Sequence, residues 1–130
     1  MTLAEITDST DLDFLEMLAK YFEAIPTEEW TINQRHIYRN GINTYCAYGQ
    51  LDRINEAIGV PTPNYANGIT GDRLMKLSQK YIGRDILWRQ PCIIAEANNG
   101  RLEEYGQETP KERSIAALQD LIKAYKAANN

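Results

Sequence analysis

The chain has 130 residues and a formal net charge of −4, from 14 lysines and arginines against 18 aspartates and glutamates. A chain of this length is expected to form one domain, here 1–130, and to bury about two thirds of its unfolded surface, so it needs neither a disulfide nor a metal to fold. The acidic charge disfavours proteins whose affinity comes from neutralising phosphates, so direct nucleic-acid binding is not expected.

The N-terminal segment and the cysteines predict the compartment. The segment has no basic region followed by an apolar run, as a secretory signal would, and no apolar run approaches the roughly 20 residues that span a bilayer. Cys46 and Cys92 do not form a CxxC motif, and without a signal they are expected to be free thiols in a reducing compartment. The sequence therefore predicts a cytoplasmic protein that does not bind a membrane.

The first predicted elements are a long helix and a short one. Residues 10–25 carry apolar side chains at helical spacing on one face, namely Phe14, Leu15, Leu18, Phe22 and Ile25. Pro26 ends this helix, because the residue before a proline avoids the helical region. Thr27, followed by two acids, is a start signal for a short helix. Trp30 and Trp88 are expected to be core anchors, because each is large enough to dominate the packing of a small domain.

The middle of the chain predicts a turn, two helices and a loop. The Asn40–Gly41 pair predicts the turn. Apolar residues then return at helical spacing, so we predict a helix over 42–58 that ends at a glycine before two prolines. Residues 59–71 are rich in turn formers and form either an exposed connection or a functional loop. A further helix is predicted over 72–82.

The last third contains an ambiguous segment and a clear helix. Residues 86–97 include two adjacent isoleucines that fit either a short buried strand or a turn of helix. Thr109 is a cap, Pro110 suits the first helical position and Glu112 the capping-box position, so a helix follows. The predicted fold is an all-α, compact single domain of four to five helices, with at most a minor short strand near 86–97.

Catalysis and metal binding have little support in the sequence. His36 is the single histidine, and Cys46 follows it beyond the predicted turn, so a Cys–His enzyme would need these two side chains in hydrogen-bond reach. Cys46 lies near an apolar stripe, which is more typical of a buried structural cysteine. A carboxylate site is the other form of enzyme left open. One histidine and two separated cysteines fall short of a zinc site, and phosphate-binding glycine motifs are absent, so no catalytic residue, metal or cofactor is predicted.

A segment rich in tyrosine and asparagine predicts a recognition surface. Tyrosine supplies rigid amphipathic contact area and asparagine supplies both a donor and an acceptor. The alternative is that several of these tyrosines fill the core with their hydroxyls at its rim. A glycine in the middle of a helix, as at position 49, permits close approach of a neighbouring element or a ligand. The candidate binding residues are His36, Tyr38, Arg39, Asn43, Tyr45, Cys46, Tyr48, Gly49, Arg53, Tyr65, Asn98 and Asn99.

Four features in this order resemble a family of small all-helical domains of unknown function in bacterial and phage proteins. They are Trp30, the run Cys-Ala-Tyr-Gly-Gln at 46–50, the pair at 98–99, and the Thr-Pro-Lys-Glu start of the last helix at 109–112. The family pattern has Trp-Asn-Asp where this chain has Ala-Asn-Asn at 97–99. The resemblance implies an all-α fold and singles out positions 46, 49 and 98, but it implies no defined activity.

Three hypotheses of function follow. The first is a small acidic binding or inhibitor module, such as a phage-type accessory or anti-defence protein, that binds a protein partner or sequesters a small ligand. The second is a small enzyme that uses Cys46 with His36, or a carboxylate site. The third is a homodimeric structural protein in which the tyrosine-rich segment is the interface.

Overall fold

A computed structural model describes residues 1–60, 67–82 and 92–130. Over these residues the chain is mainly helical and contains one small antiparallel hairpin. The elements in chain order are α1 (Leu3–Asp8), α2 (Asp11–Ala24), a 3₁₀ turn (Thr27–Glu29), β1 (Ile37–Arg39), β2 (Ile42–Thr44), α3 (Ala47–Ala57), α4 (Gly68–Tyr81), α5 (Ile93–Asn98) and α6 (Pro110–Ala128). None of these helices is long and apolar enough to cross a membrane.

The hydrophobic core lies where α2 and α5 pack on α6, and it continues into the pair formed by α3 and α4. Its fully buried large side chains include Phe14, Leu15, Leu18, Phe22, Leu51, Leu74, Ile93, Ile94, Leu118 and Leu121. Trp30 packs edge-on against Phe22, with ring centroids 5.2 Å apart. The prediction that Trp30 anchors the core is thus confirmed, while Trp88 lies outside the described residues.

The helix predictions with clear start signals are confirmed. The helix predicted over 10–25 is α2, and the short one after Thr27 is the 3₁₀ turn. The last helix begins at Pro110, where the Thr109 hydroxyl accepts a hydrogen bond from the Glu112 amide at 3.1 Å. One further helix, α1, was not predicted, because six residues are too few to establish a period.

The hairpin corrects the prediction of a helix over 42–58. Residues 42–44 form β2, which pairs with β1, and α3 begins only at Ala47. Asn40 and Gly41 both have positive φ, 52° and 77°. A two-residue hairpin turn of this kind matches the right-handed twist of the flanking strands, so the chain returns as a second strand instead of starting a helix.

Two further boundaries differ from the sequence predictions. The sequence left a short strand or a turn of helix open for residues 86–97; residues 93–97 belong to α5, so they form the helix, and residues 86–91 lie outside the described part of the chain. Helix α4 begins at Gly68, so the last residues of the loop predicted over 59–71 are helical. The described part of the chain is mainly helical, as predicted, but its small sheet is formed by residues 37–44 and not by residues near 86–97.

Arg73 ties the N-terminal helices to α4. Its guanidinium donates hydrogen bonds to the backbone oxygens of Ile6 and Ser9, the latter at 2.8 Å, and pairs with the Asp11 carboxylate at 2.9 Å. It also lies over the Phe14 ring, 4.5 Å from the centroid. The Arg73 side chain therefore links the end of α1 and the start of α2 to α4.

Replacing Arg73 by alanine is expected to lower the free energy of unfolding by about 2 kcal/mol, because several charge-assisted hydrogen bonds to backbone and carboxylate are lost together. Urea denaturation followed by circular dichroism measures this. The matched control is Lys76→Ala, an exposed residue of the same helix, which should change stability by less than about 0.5 kcal/mol. Equal effects of the two substitutions would contradict the role of Arg73.

Candidate functional site

Four of the predicted binding residues lie on one face of the hairpin. Tyr38 pairs directly with Asn43, and continuation of the same register places His36 opposite Tyr45. Because direct partners share a face and neighbours along a strand alternate, these four side chains point the same way. We call His36, Tyr38, Asn43 and Tyr45 the hairpin face. The opposite face carries Ile37, Arg39, Ile42 and Thr44.

Contacts within the hairpin face order its side chains. The rings of His36 and Tyr45 are stacked, with centroids 4.8 Å apart and planes inclined by 12°. His36 Nε2 lies 2.7 Å from Asn43 Oδ1. Tyr38, nearer the turn, is 66% exposed. The face thus combines ordered aromatic and imidazole rings at its base with an open tyrosine at its outer end.

A part-buried polar network contacts the Tyr45 ring. The guanidinium of Arg53 lies 4.5 Å from the Tyr45 ring centroid and pairs with the Glu29 carboxylate at 3.1 Å. Arg53 also donates to Gln50 Oε1 at 3.0 Å, and the fully buried Gln50 amide donates to the Glu29 carbonyl at 3.0 Å. The sequence had singled out Arg53 but not Gln50 or Glu29, because a network between distant segments leaves no local pattern.

Gly49 lets the backbone of the segment that precedes the hairpin lie directly on α3. A Cβ at position 49 would lie 1.8 Å from the Arg35 carbonyl oxygen, so any other residue would displace this backbone. The Arg35 guanidinium then pairs with the Asp52 carboxylate at 2.8 Å and donates to Asn67 Oδ1 at 2.5 Å. Because α3 begins at Ala47, Gly49 lies in its first turn and not in the middle of a helix, but the expected close approach is present, and the approaching group is the Arg35 backbone.

Asn98 and Asn99 hold the segment that leads into the hairpin and do not lie on the hairpin face. Asn98 is fully buried; its amide donates to the Thr31 carbonyl at 3.0 Å, and its oxygen accepts from the Ser114 hydroxyl at 3.1 Å. Asn99 Oδ1 accepts from the Asn33 amide at 2.8 Å. Both asparagines therefore hold the chain segment before β1 through hydrogen bonds within the protein, and they are not part of the exposed hairpin face.

Cys46 and Tyr48 point inward. Burial raises the pKa of the Cys46 thiol, and Cys46 is the cap residue of α3. Burial also raises the pKa of Tyr48, and a hydrogen bond to Cys92 adds to this effect. A thiol nucleophile needs a lowered pKa. Since His36 is also engaged with Asn43 and Tyr45, the arrangement gives no support to an activated Cys46 thiolate.

A small cleft opens beside the base of the hairpin face. Its volume is about 250 Å³, and it is lined by Arg35, His36, Tyr45, Gly49, Asp52, Arg53 and Glu56. The lining charges have both signs, and both guanidiniums are already paired with carboxylates. Arg39 is exposed near the turn on the opposite face, and Tyr65 lies outside the described residues.

Among residues 1–60, 67–82 and 92–130, no group of three or more His, Cys, Asp or Glu side chains is placed to hold a metal ion. No protein-family model, curated protein or solved structure matches the chain. The functional argument therefore depends on the geometry of the hairpin face and its supports.

Gly49→Ala is expected to destabilise the protein by about 1–3 kcal/mol, the usual cost of overpacking, because the new methyl group collides with the Arg35 carbonyl. Helix propensity alone would favour alanine by about 1 kcal/mol, so the sign of the change separates the two effects. Urea denaturation gives the stability, and amide hydrogen exchange of residues 35–45 reports whether the hairpin is displaced.

The control for this substitution is Gly106→Ala. An added Cβ there meets its nearest heavy atom at 3.7 Å, an ordinary contact, and the residue does not need positive φ. Stability should change little. A stabilising effect of Gly49→Ala would mean that the backbone contact with α3 does not constrain the hairpin.

The buried thiols make stability depend on alkaline pH. Burial raises the pKa values of Cys46 and Cys92, so their contribution is complete below the ordinary thiol pKa of about 8.5 and is lost as the pH rises through the higher values of the folded state. The free energy of unfolding should fall by up to about 1.4 kcal/mol per pH unit for each thiol. Urea unfolding at a series of pH values tests this. If the double variant Cys46→Ala/Cys92→Ala loses stability with rising pH as steeply as the unmodified protein does, the prediction is refuted.

Proposed function

We propose that this protein is a small binding module that contacts a protein partner through its hairpin. The proposal depends mainly on where apolar surface is exposed. Within the described part of the chain, the exposed large hydrophobic residues are Met1, Leu3, Ile32, Tyr38 and Ile42. Tyr38 lies on the hairpin face, Ile42 lies on the opposite face, and Ile32 precedes the hairpin. The hairpin thus exposes a large apolar side chain on each of its faces, and exposed apolar surface on one element marks a candidate contact site.

The chemistry of the hairpin face supports this role. Tyr38 offers a rigid amphipathic ring, and Asn43 offers a donor and an acceptor beside it. His36 and Tyr45 are already stacked, so they lose little conformational freedom when a partner covers them. A surface that is ordered before contact gains affinity because this entropic cost is small.

A protein partner fits the surface better than a small ligand does. Small-molecule sites usually enclose about 300–1,000 Å³, and the cleft beside the hairpin measures about 250 Å³. An anionic ligand there would have to displace Asp52 from Arg35 or Glu29 from Arg53. Sequestration of a small ligand therefore has weaker support, as does the enzyme hypothesis, given the raised pKa of Cys46.

The narrower sequence predictions remain part of the proposal. Both cysteines are free and buried, which suits a reducing, cytoplasmic compartment. An accessory or anti-defence inhibitor of phage type remains a prediction that depends on the family resemblance and the acidic charge. A homodimer that pairs through the tyrosine-rich segment is the alternative form of protein contact.

Site-specific crosslinking tests the proposal. Tyr38 is replaced by the photoreactive p-benzoylphenylalanine, and the matched control carries the same group at Lys123, an exposed position on α6. Irradiation in a lysate of the cells that encode the protein should give a discrete adduct from position 38 only. An adduct of twice the mass of the chain would identify the homodimer, and equal adducts from both positions would contradict a hairpin-based contact.

With the partner identified, Tyr38→Ala should raise its Kd by at least about 10-fold, since exposed tyrosines at the centre of an interface commonly contribute about 2 kcal/mol or more. Lys123→Ala should leave the Kd unchanged. Isothermal titration calorimetry measures both. A Kd that is insensitive to Tyr38→Ala would show that the partner binds elsewhere.

A further inference from the structure

The outer edge of β1 presents unpaired backbone groups. Tyr45 directs its amide to the Glu29 carbonyl and its carbonyl to the Thr31 amide, away from β1. Backbone groups of alternate residues in a strand point to the same side. The amide and carbonyl of Asn43 therefore also point away from β1, and those of Ile42 and Thr44 point towards it. Their partners Arg39 and Ile37 therefore face β2.

It follows that Tyr38 directs its backbone amide and carbonyl to the outer edge of β1. The sheet has two strands, and no described residue pairs with this edge. Such an edge is a ready template for another strand. In this protein it is three residues long, which suits a reversible contact with a short segment.

The charge around this edge differs from that of the whole chain. The chain carries −4 overall, yet no aspartate or glutamate occurs between Glu29 and Asp52. This stretch contains Arg35, which is paired with Asp52, and Arg39, which is exposed and has no acidic partner among the described residues. The hairpin thus carries one exposed positive charge, at Arg39, and no acidic residue, on a protein that is acidic overall.

We propose that the partner contributes an extended acidic segment that adds to the outer edge of β1 as a third strand. This inference rests on the proposed function and specifies the partner's chemistry. Side chains of an added strand alternate between the two faces. Acidic residues would then lie beside Arg39 on one face, and apolar residues beside Tyr38 on the hairpin face.

A second copy of this chain is a poorer occupant of the same edge. Its own β1 would bring Arg39 and no carboxylate from the hairpin, because that stretch lacks acids. Charge complementarity is therefore missing in self-pairing and present with an acidic segment.

The test uses a capped heptapeptide of alternating glutamate and valine, titrated into the ¹⁵N-labelled protein. We expect saturable shifts of the His36 and Tyr38 amides, slower exchange of the Tyr38 amide, and an affinity that falls as salt is added. The same peptide with lysine in place of glutamate should bind at least 10-fold more weakly. Absence of binding by the glutamate peptide, or equal binding by the lysine peptide, would overturn the proposal.

Two substitutions at position 38 separate backbone pairing from side-chain contact. Tyr38→Ala and Tyr38→Pro remove the same ring, but only proline also removes the outward amide, and proline is tolerated where that amide faces solvent. We expect Tyr38→Pro to bind the peptide at least 10-fold more weakly than Tyr38→Ala. The ring-current shifts of His36 and Tyr45 report in each variant that the hairpin is intact. Equal affinities of the two variants would refute strand addition.

A charge exchange tests the role of Arg39. Arg39→Glu should lose affinity for the glutamate peptide and gain it for the lysine peptide. If position 38 crosslinks a partner while the glutamate peptide fails to bind, strand addition is wrong and the binding module stands. If no position-specific adduct forms, the proposed function fails independently of the peptide results.

Discussion

The contact between Gly49 and the Arg35 carbonyl constrains where the hairpin of β1 and β2 leaves the helical body. The side chains of a helix normally keep a neighbouring backbone away from the helix axis. Gly49 has no side chain, so the Arg35 carbonyl comes into direct contact with the backbone of α3. The backbone at Arg35 therefore lies on α3, and β1 begins two residues later, at Ile37. The distance between the base of the hairpin and α3 thus depends on the absence of a side chain at position 49.

Directional polar contacts, more than apolar burial, hold the hairpin in place. A two-stranded hairpin is only marginally stable by itself, and this one has few buried residues of its own. Gln50 and Asn98 are fully buried, and their side-chain amides donate to the Glu29 and Thr31 carbonyls in the segment before the hairpin. Gln50 also donates to the Tyr45 carbonyl, which follows the hairpin, at 3.4 Å. Hydrogen bonds fix angle as well as distance, so these two side chains limit the rotation of the hairpin on the body.

Much of the fold could be predicted from the sequence, and less of the site. Helices α2 and α6 were predicted because they combine a sustained apolar period with a cap, whereas strands of three residues are too short to show their alternation. Composition singled out the tyrosines and asparagines of the hairpin face but could not group them, since that grouping requires the pairing register. The family resemblance singled out Asn98 as a candidate binding residue, but the donor and acceptor of an asparagine serve a buried junction equally well.

The separation of the hairpin face from the hydrophobic core has a consequence for evolution. Substitutions at His36, Tyr38 or Asn43 change exposed side chains that the packing of the helices does not use. Exposed positions of this kind usually alter stability by less than about 0.5 kcal/mol, so they are free to diversify under selection. Under the proposed function, a lineage could follow a changing partner by exchanging a few residues on one short hairpin, with the helical scaffold inherited unchanged.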